Sequence, residues 1–178
     1  TGNVGAIAFK ECTINAIGNQ GIVSTDGKNG NYINDVSFDE CTITNICGIA
    51  DLRNSSSGKS ISIRNTTFCY APMENSFLFR VDPSIAVKIE HCVLKIDGKL
   101  PKFNELGSGG QDDYTGVYPF SSVNSFQAND RTSSKGNLGL SDSKMSTTTL
   151  FTAPGTNNFK LNELFTGCSS VGASKWRR

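Results

Sequence analysis

The chain has almost no net charge. Its 17 lysines and arginines stand against 16 aspartates and glutamates, leaving +1, so no global field recruits nucleic acid or an anionic membrane surface. No apolar run approaches the ~20 residues a membrane-spanning helix needs, and the first residues, Thr1, Gly2 and Asn3, carry no signal-peptide pattern. Histidine is confined to His91, so a serine triad or a histidine-based zinc site would have to be built around that one ring. Beside Glu90 it reads instead as a stacked or solvated side chain. Six cysteines in 178 residues fall short of a disulfide scaffold. Helical periodicity is missing between the apolar segments, which excludes βαβ units and leucine-rich repeats with helices. Gly58, Lys59 and Ser60 resemble the end of a phosphate-binding loop, but Arg53 stands where its first glycine is required.

What is present is a repeat. Ile7 to Ile17, Val36 to Ile46, Ile61 to Ala71 and Val87 to Asp97 share one pattern, with Phe9, Phe38, Ile63 and Ile89 in one column at intervals of 29, 25 and 26 residues. Three positions on, the column holds Cys12, Cys41, Thr66 and Cys92; two further on it holds Ile14, Ile43, Phe68 and Leu94. Alternating apolar residues predict strands, and the three-residue step between the two halves predicts a bend. A weaker block follows each copy, at Gly21–Val23, Gly48–Leu52 and Phe77–Phe79, so each repeat holds two or three short strands. The intervening Asp26–Asn31 and Arg53–Ser60 read as polar loops, consistent with 18 glycines and abundant Ser, Thr and Asn.

Repeats of this length are too short for propeller blades, which leaves a parallel β-helix: an all-β solenoid of about four coils stacked at ~4.8 Å, like residue over like. Outward columns fit this register. Lys10, Asp39, Arg64 and Glu90 alternate in sign, Glu11, Glu40, Asn65 and His91 follow, and Thr13, Thr42 and Thr67 form a third ladder. Cys12, Cys41 and Cys92 point the same way from neighbouring coils, a poor disulfide geometry, and read as free buried thiols; a bridge among Cys47, Cys69 and Cys168 stays open. The expected division is coils over 1–98, an irregular insertion and last-coil region over 99–149, and over 150–178 a C-terminal cap sealing the last coil. The basic run Lys175, Trp176, Arg177, Arg178 reads as a solvated tail. A repeat already under way at Ile7 suggests that further coils or another domain precede Thr1.

Candidate chemistry is sparse. Polysaccharide cleavage needs two carboxylates across a bond, or a cation and a base at a uronate. The coil acids are Glu11, Asp39, Glu40 and Asp51 and the bases Lys10, Arg64 and Arg80; Glu11 and Glu40 would lie at ladder distance. Asp26 to Asp35 is rich in oxygen ligands but Ser37 stands where a calcium loop closes with glutamate, so a polar turn is the simpler reading and no cofactor is implied. Sugar binding demands less: Tyr114 and Tyr118 as platforms, with Asp112 and Asp113, are the candidate substrate-binding residues, although aromatics there, Phe120 included, can equally pin the segment to the coil.

The stretches ISIRNTTF and VSFDECTI resemble coils of the pectate-lyase-like right-handed parallel β-helix superfamily. LFTAPGTNNFKL followed by VGASKWR is similar to the C-terminal segment of pectate-lyase-like domains in Bacteroidetes surface lipoproteins, through Phe151, Pro154, Asn158, Phe159, Leu161, Gly172 and Trp176. Ser174 and Lys175 replace the aspartate and proline of that ending. The resemblance implies an extracellular or outer-membrane-surface protein with a glycan as partner. The calcium-binding aspartates and arginine base of true pectate lyases are not displayed, so the expectation is polysaccharide recognition without catalysis by this chain. A polysaccharide lyase or glycoside hydrolase, and a structural spacer or adhesin stalk, are the alternatives.

Overall fold

A computed structural model describes residues 2–15, 18, 21–25, 32–52, 59–70, 79–81, 85–95, 120–130 and 139–178. These residues are mostly strand, and three of their four sheets are parallel. The first has five strands in the order β1 (Asn3–Lys10), β4 (Tyr32–Asp39), β7 (Ser60–Arg64), β10 (Ala86–Glu90), β12 (Phe120–Val123). The second has six: β2 (Thr13–Asn15), β5 (Thr42–Thr44), β8 (Thr67–Cys69), β11 (Val93–Leu94), β13 (Phe126–Gln127) and β14 (Ser141–Asp142). The third joins β3 (Gly21–Ser24), β6 (Gly48–Leu52) and β9 (Phe79–Val81), the weaker block of each repeat. Each of the first three repeats thus gives one strand to each sheet.

Register follows the aligned columns residue for residue. Phe9 pairs with Phe38, Phe38 with Ile63 and Ile63 with Ile89, while Lys10, Asp39, Arg64 and Glu90 form the neighbouring rungs. The rings of Phe9 and Phe38 stack with centroids 4.8 Å apart and planes 5° from parallel. Inward residues of all three sheets, among them Phe38, Ile43, Ile49, Ile63, Phe68 and Phe79, are fully buried and share one apolar core. Gly21 is required by a close approach: a Cβ there would stand 2.9 Å from the backbone of Ala50.

The bend between first-sheet and second-sheet strands has a single cause. Glu11, Glu40, Asn65, His91 and Asn124 all adopt left-handed backbone, with φ of 55, 55, 47, 52 and 45°. One such residue turns the chain sharply, and without glycine each costs of order 1 kcal/mol. The next column repairs the backbone at the corner. The Cys41 thiol lies 3.3 Å from the Asp39 carbonyl, the Thr66 hydroxyl donates to Arg64 at 2.7 Å, the Cys92 thiol lies 3.2 Å from the Glu90 carbonyl and the Ser125 hydroxyl 3.0 Å from that of Val123. All six cysteines are free. Burial raises the Cys41 thiol and pushes that of Cys92 up to about 12, so both remain protonated donors.

The stack extends beyond the four copies legible in the sequence. Residues 120–127, inside the region 99–149 expected to hold an irregular insertion and the last coil, pair with β10 and β11, and β14 adds a further strand. Ser122 pairs with Ile89 in a column that is otherwise apolar, and Ser125 follows the corner where Cys92 does one repeat earlier. The remainder is a short helix α1 (Thr147–Leu150), an antiparallel pair β15 (Phe151–Ala153) and β16 (Asn158–Leu161), and two 3-10 turns at Pro154–Thr156 and Ser174–Trp176. A second core binds this C-terminal segment to the stack: Leu150, Phe151, Phe159, Leu161, Phe165 and Val171 pack with Cys69, Val93 and Ala128 of the second sheet.

Candidate functional site

The proposed sugar-binding residues Asp112, Asp113, Tyr114 and Tyr118 lie outside the described residues, as do Asp26–Asn31 of the candidate calcium loop. Among the described residues no three His, Cys, Asp or Glu side chains gather as a metal cluster would.

Acids along the coils, the candidates Glu11, Asp39 and Glu40 and also Asp35 and Glu90, are engaged by neighbouring groups. Asp35 accepts from the Ser60 hydroxyl at 2.6 Å and Asp39 from the Asn65 amide at 3.0 Å. Glu90 pairs with Lys88 at 2.8 Å and with Arg64 at 3.5 Å. The Lys88 hydrogen bond, then the charges of Lys88, Arg64 and His91, hold its carboxyl below the usual range against the opposing effect of burial. Asp51 is buried in β6, and Arg80 falls in β9. Glu11 and Glu40 occupy successive rungs but turn to different cations: Glu11 lies 3.9 Å from Lys10, whereas Glu40 lies 3.3 Å from Arg177. His91, the one histidine, contributes its backbone, accepting the Gly172 N–H at 2.8 Å.

Glu40 leads to the most organised group of polar side chains, which sequence reasoning missed. The middle of the second sheet's outer face is covered. Thr42 and Thr67, expected to form an outward ladder, are 1% and 0% exposed because the C-terminal segment lies over them. The Ala173 N–H donates to the Thr67 hydroxyl at 3.0 Å, the Trp176 indole to Thr42 at 2.8 Å, and Lys175 Nζ to Thr13 at 2.9 Å. The Ser174 N–H donates to Glu40 Oε2, and Arg177 Nη2 reaches both Glu40 Oε1 and Asn65 Oδ1, the latter at 3.1 Å. Arg178 closes the segment on itself, its backbone donating to Cys168 and its Nε to Leu161, at 2.9 and 3.0 Å. The basic run is thus not a solvated tail: Lys175, Trp176, Arg177 and Arg178 each have a partner in the fold. The sequence did carry a signal for this. Along the outward column Thr13, Thr42, Thr67, Val93, Phe126 the residues become apolar, as a face does that must be covered.

A second unusual group is Lys59, from the incomplete phosphate loop. It is 6% exposed, its Nζ has no hydrogen-bond partner among the described residues, and it sits 4.4 Å above the ring of Tyr32 in a cation–π contact.

Comparison of the chain with family models, with characterised proteins and with solved structures returned no match.

Proposed function

We propose that this chain is a right-handed parallel β-helix of the pectate-lyase-like kind, a non-catalytic scaffold within a secreted or cell-surface protein, and that it engages polysaccharide through the segment 99–149. The solenoid reading is supported by three parallel sheets fed in turn by each repeat, with left-handed corners in register. The observation that carries the scaffold reading is the state of the acids. Asp35, Asp39, Glu40 and Glu90 are each held by a neighbouring side chain or backbone group, whereas glycosidic cleavage wants paired carboxyls facing one open substrate path. The polysaccharide reading rests on the resemblance and on the aromatic and acidic residues Asp112, Asp113, Tyr114 and Tyr118.

A glycan array probed with the full chain tests it, alongside an assay for unsaturated uronate products. Expected is glycan binding that the double substitution Tyr114→Ala, Tyr118→Ala abolishes, with no product formed. Product formation, or binding indifferent to both tyrosines, would sink the proposal. A spacer or stalk, the reading favoured by the continuous in-register stack, predicts no glycan bound at all.

A further inference from the structure

Residues 172–178 hold to the second sheet in a different way from the segment before them. Leu150, Phe151, Phe159, Leu161, Phe165 and Val171 are all 2% exposed or less and anchor by apolar burial. Beyond Val171 only Gly172 and Ala173 are buried, and Trp176, half-buried, meets Phe159 edge-on at 5.7 Å. The rest of the hold is hydrogen bonding that steps along the stack, from His91 through Thr67 to Glu40, Thr42 and Thr13, with Arg178 tied back to Leu161 and Cys168. Most of these bonds lie at exposed or half-buried positions and exchange for water at a smaller cost than uncovering the apolar anchors, so this stretch is expected to open before residues 147–171. Its junction is Gly172, with φ of 75°; a Cβ there would stand 2.6 Å from Thr67 Oγ1 and 2.9 Å from Val93 Cγ1.

We propose that residues 172–178 are an exchangeable strap, which lifts from the sheet as a unit while residues 147–171 stay docked, and that the vacated groove accepts the same segment from a second copy of this chain. The groove is already complementary to it: hydroxyls of Thr13, Thr42 and Thr67 for the backbone and for the Lys175 and Trp176 donors, and the Glu40 carboxylate with the Asn65 amide oxygen for Arg177. In the closed chain the tethered strap outcompetes a free one through its effective concentration.

Hydrogen exchange on the unaltered full chain is the first test. The amides of Gly172, Ala173 and Ser174 are expected to exchange at least ~100-fold faster than those of Thr42, Thr67 and Val93. A fluorescent peptide with the sequence of residues 171–178 is then expected to bind full chain carrying Gly172→Ala at least ~10-fold more tightly than unaltered chain, with Trp176, the only tryptophan, red-shifted in the variant. Equal protection of strap and sheet amides overturns the proposal. So does failure of the peptide to bind the variant, or loss of the β-sheet circular dichroism with Gly172→Ala, since the strap would then be inseparable from the stack.

Discussion

The two large sheets come from the same repeats and share one core, yet their outer faces have opposite fates. The first sheet points a charge ladder outward, Lys10, Asp39, Arg64 and Glu90, of which Lys10 and Arg64 are exposed, beside a column that holds Ser37, Ser62 and Lys88. The second buries Thr42 and Thr67 under the C-terminal segment, while Thr13 at its edge stays exposed. Stacking alone therefore accounts for what lies inside the coil and for the register. It does not decide which outer face stays bare. That choice rests on whether the outward positions leave apolar surface or acceptors that another segment can cover, as Val93, Phe126 and the Thr67 hydroxyl do.

The largest effect is expected where the sheets do not differ. Phe68 is fully buried in the shared core, and Phe68→Ala should cost roughly 3–5 kcal/mol, the usual range for a buried phenylalanine truncated without collapse of the site. Denaturant unfolding measures it. A loss well under 2 kcal/mol would mean that the stack relaxes around the cavity far more than a close-packed ladder should.

The next perturbation separates the faces. Thr67→Val preserves shape but removes the acceptor of the buried Ala173 N–H, so about 1–3 kcal/mol is expected. Ser62→Val places valine at a half-buried outward position of the first sheet, away from the C-terminal segment, where the effect should stay within about 0.5 kcal/mol. Equal effects would erase the distinction between covered and open sheet.

Legibility followed the same divide. The columns through Phe9 and Cys12 predicted the pairing of the repeats residue for residue, because inward apolar positions recur with little tolerance for error. The fifth repeat escaped because Ser122 breaks the apolar column and its interval is longer, although Asn124 followed by Ser125 repeats the corner chemistry of Asn65 and Thr66. The strap escaped for another reason. Its partners, Thr42, Thr67 and Glu40, are polar residues at outward positions, and nothing in a local pattern tells a hydroxyl facing water from one facing a segment more than 100 residues away.

Acid titration should sharpen the contrast. Asp130 lies where the second sheet meets α1. Burial raises its carboxyl, but hydrogen bonds from the Thr147 N–H and hydroxyl and the charge of Lys95 outweigh this and hold it below its ordinary value. A depressed carboxyl stabilises the fold fully above the ordinary aspartate range, and the contribution is lost as pH falls through the lowered value. Asp130→Asn should flatten that part of the stability curve. Glu90, itself half-buried, is held by the exposed cations Lys88 and Arg64 rather than by neutral hydrogen bonds, so it predicts the same sign, but its contribution should shrink in 1 M salt, where screening reaches about 3 Å. A salt response equal for both carboxylates would contradict their different settings.

The smallest and most discriminating change concerns one residue type in one conformation. Glu11 and Glu40 both hold φ of 55° at successive corners, so glycine at either position relieves left-handed strain of order 1 kcal/mol, less what glycine loses in unfolded-chain entropy. Among the described residues the Glu11 side chain meets Lys10, at 3.9 Å with both side chains 71% exposed, and Glu11→Gly should leave stability unchanged or raise it by up to about 1 kcal/mol. Glu40 carries the Ser174 N–H and Arg177, in a pair whose side chains are only 21% and 23% exposed. There the same substitution strips a charged acceptor from the strap, and a charge-assisted bond is worth about 1.5–3 kcal/mol. Glu40→Gly should therefore destabilise the chain while Glu11→Gly does not, and Trp176 fluorescence should report strap release in the first variant only. Identical behaviour of the two would place the hold of the C-terminal segment in its apolar anchors alone.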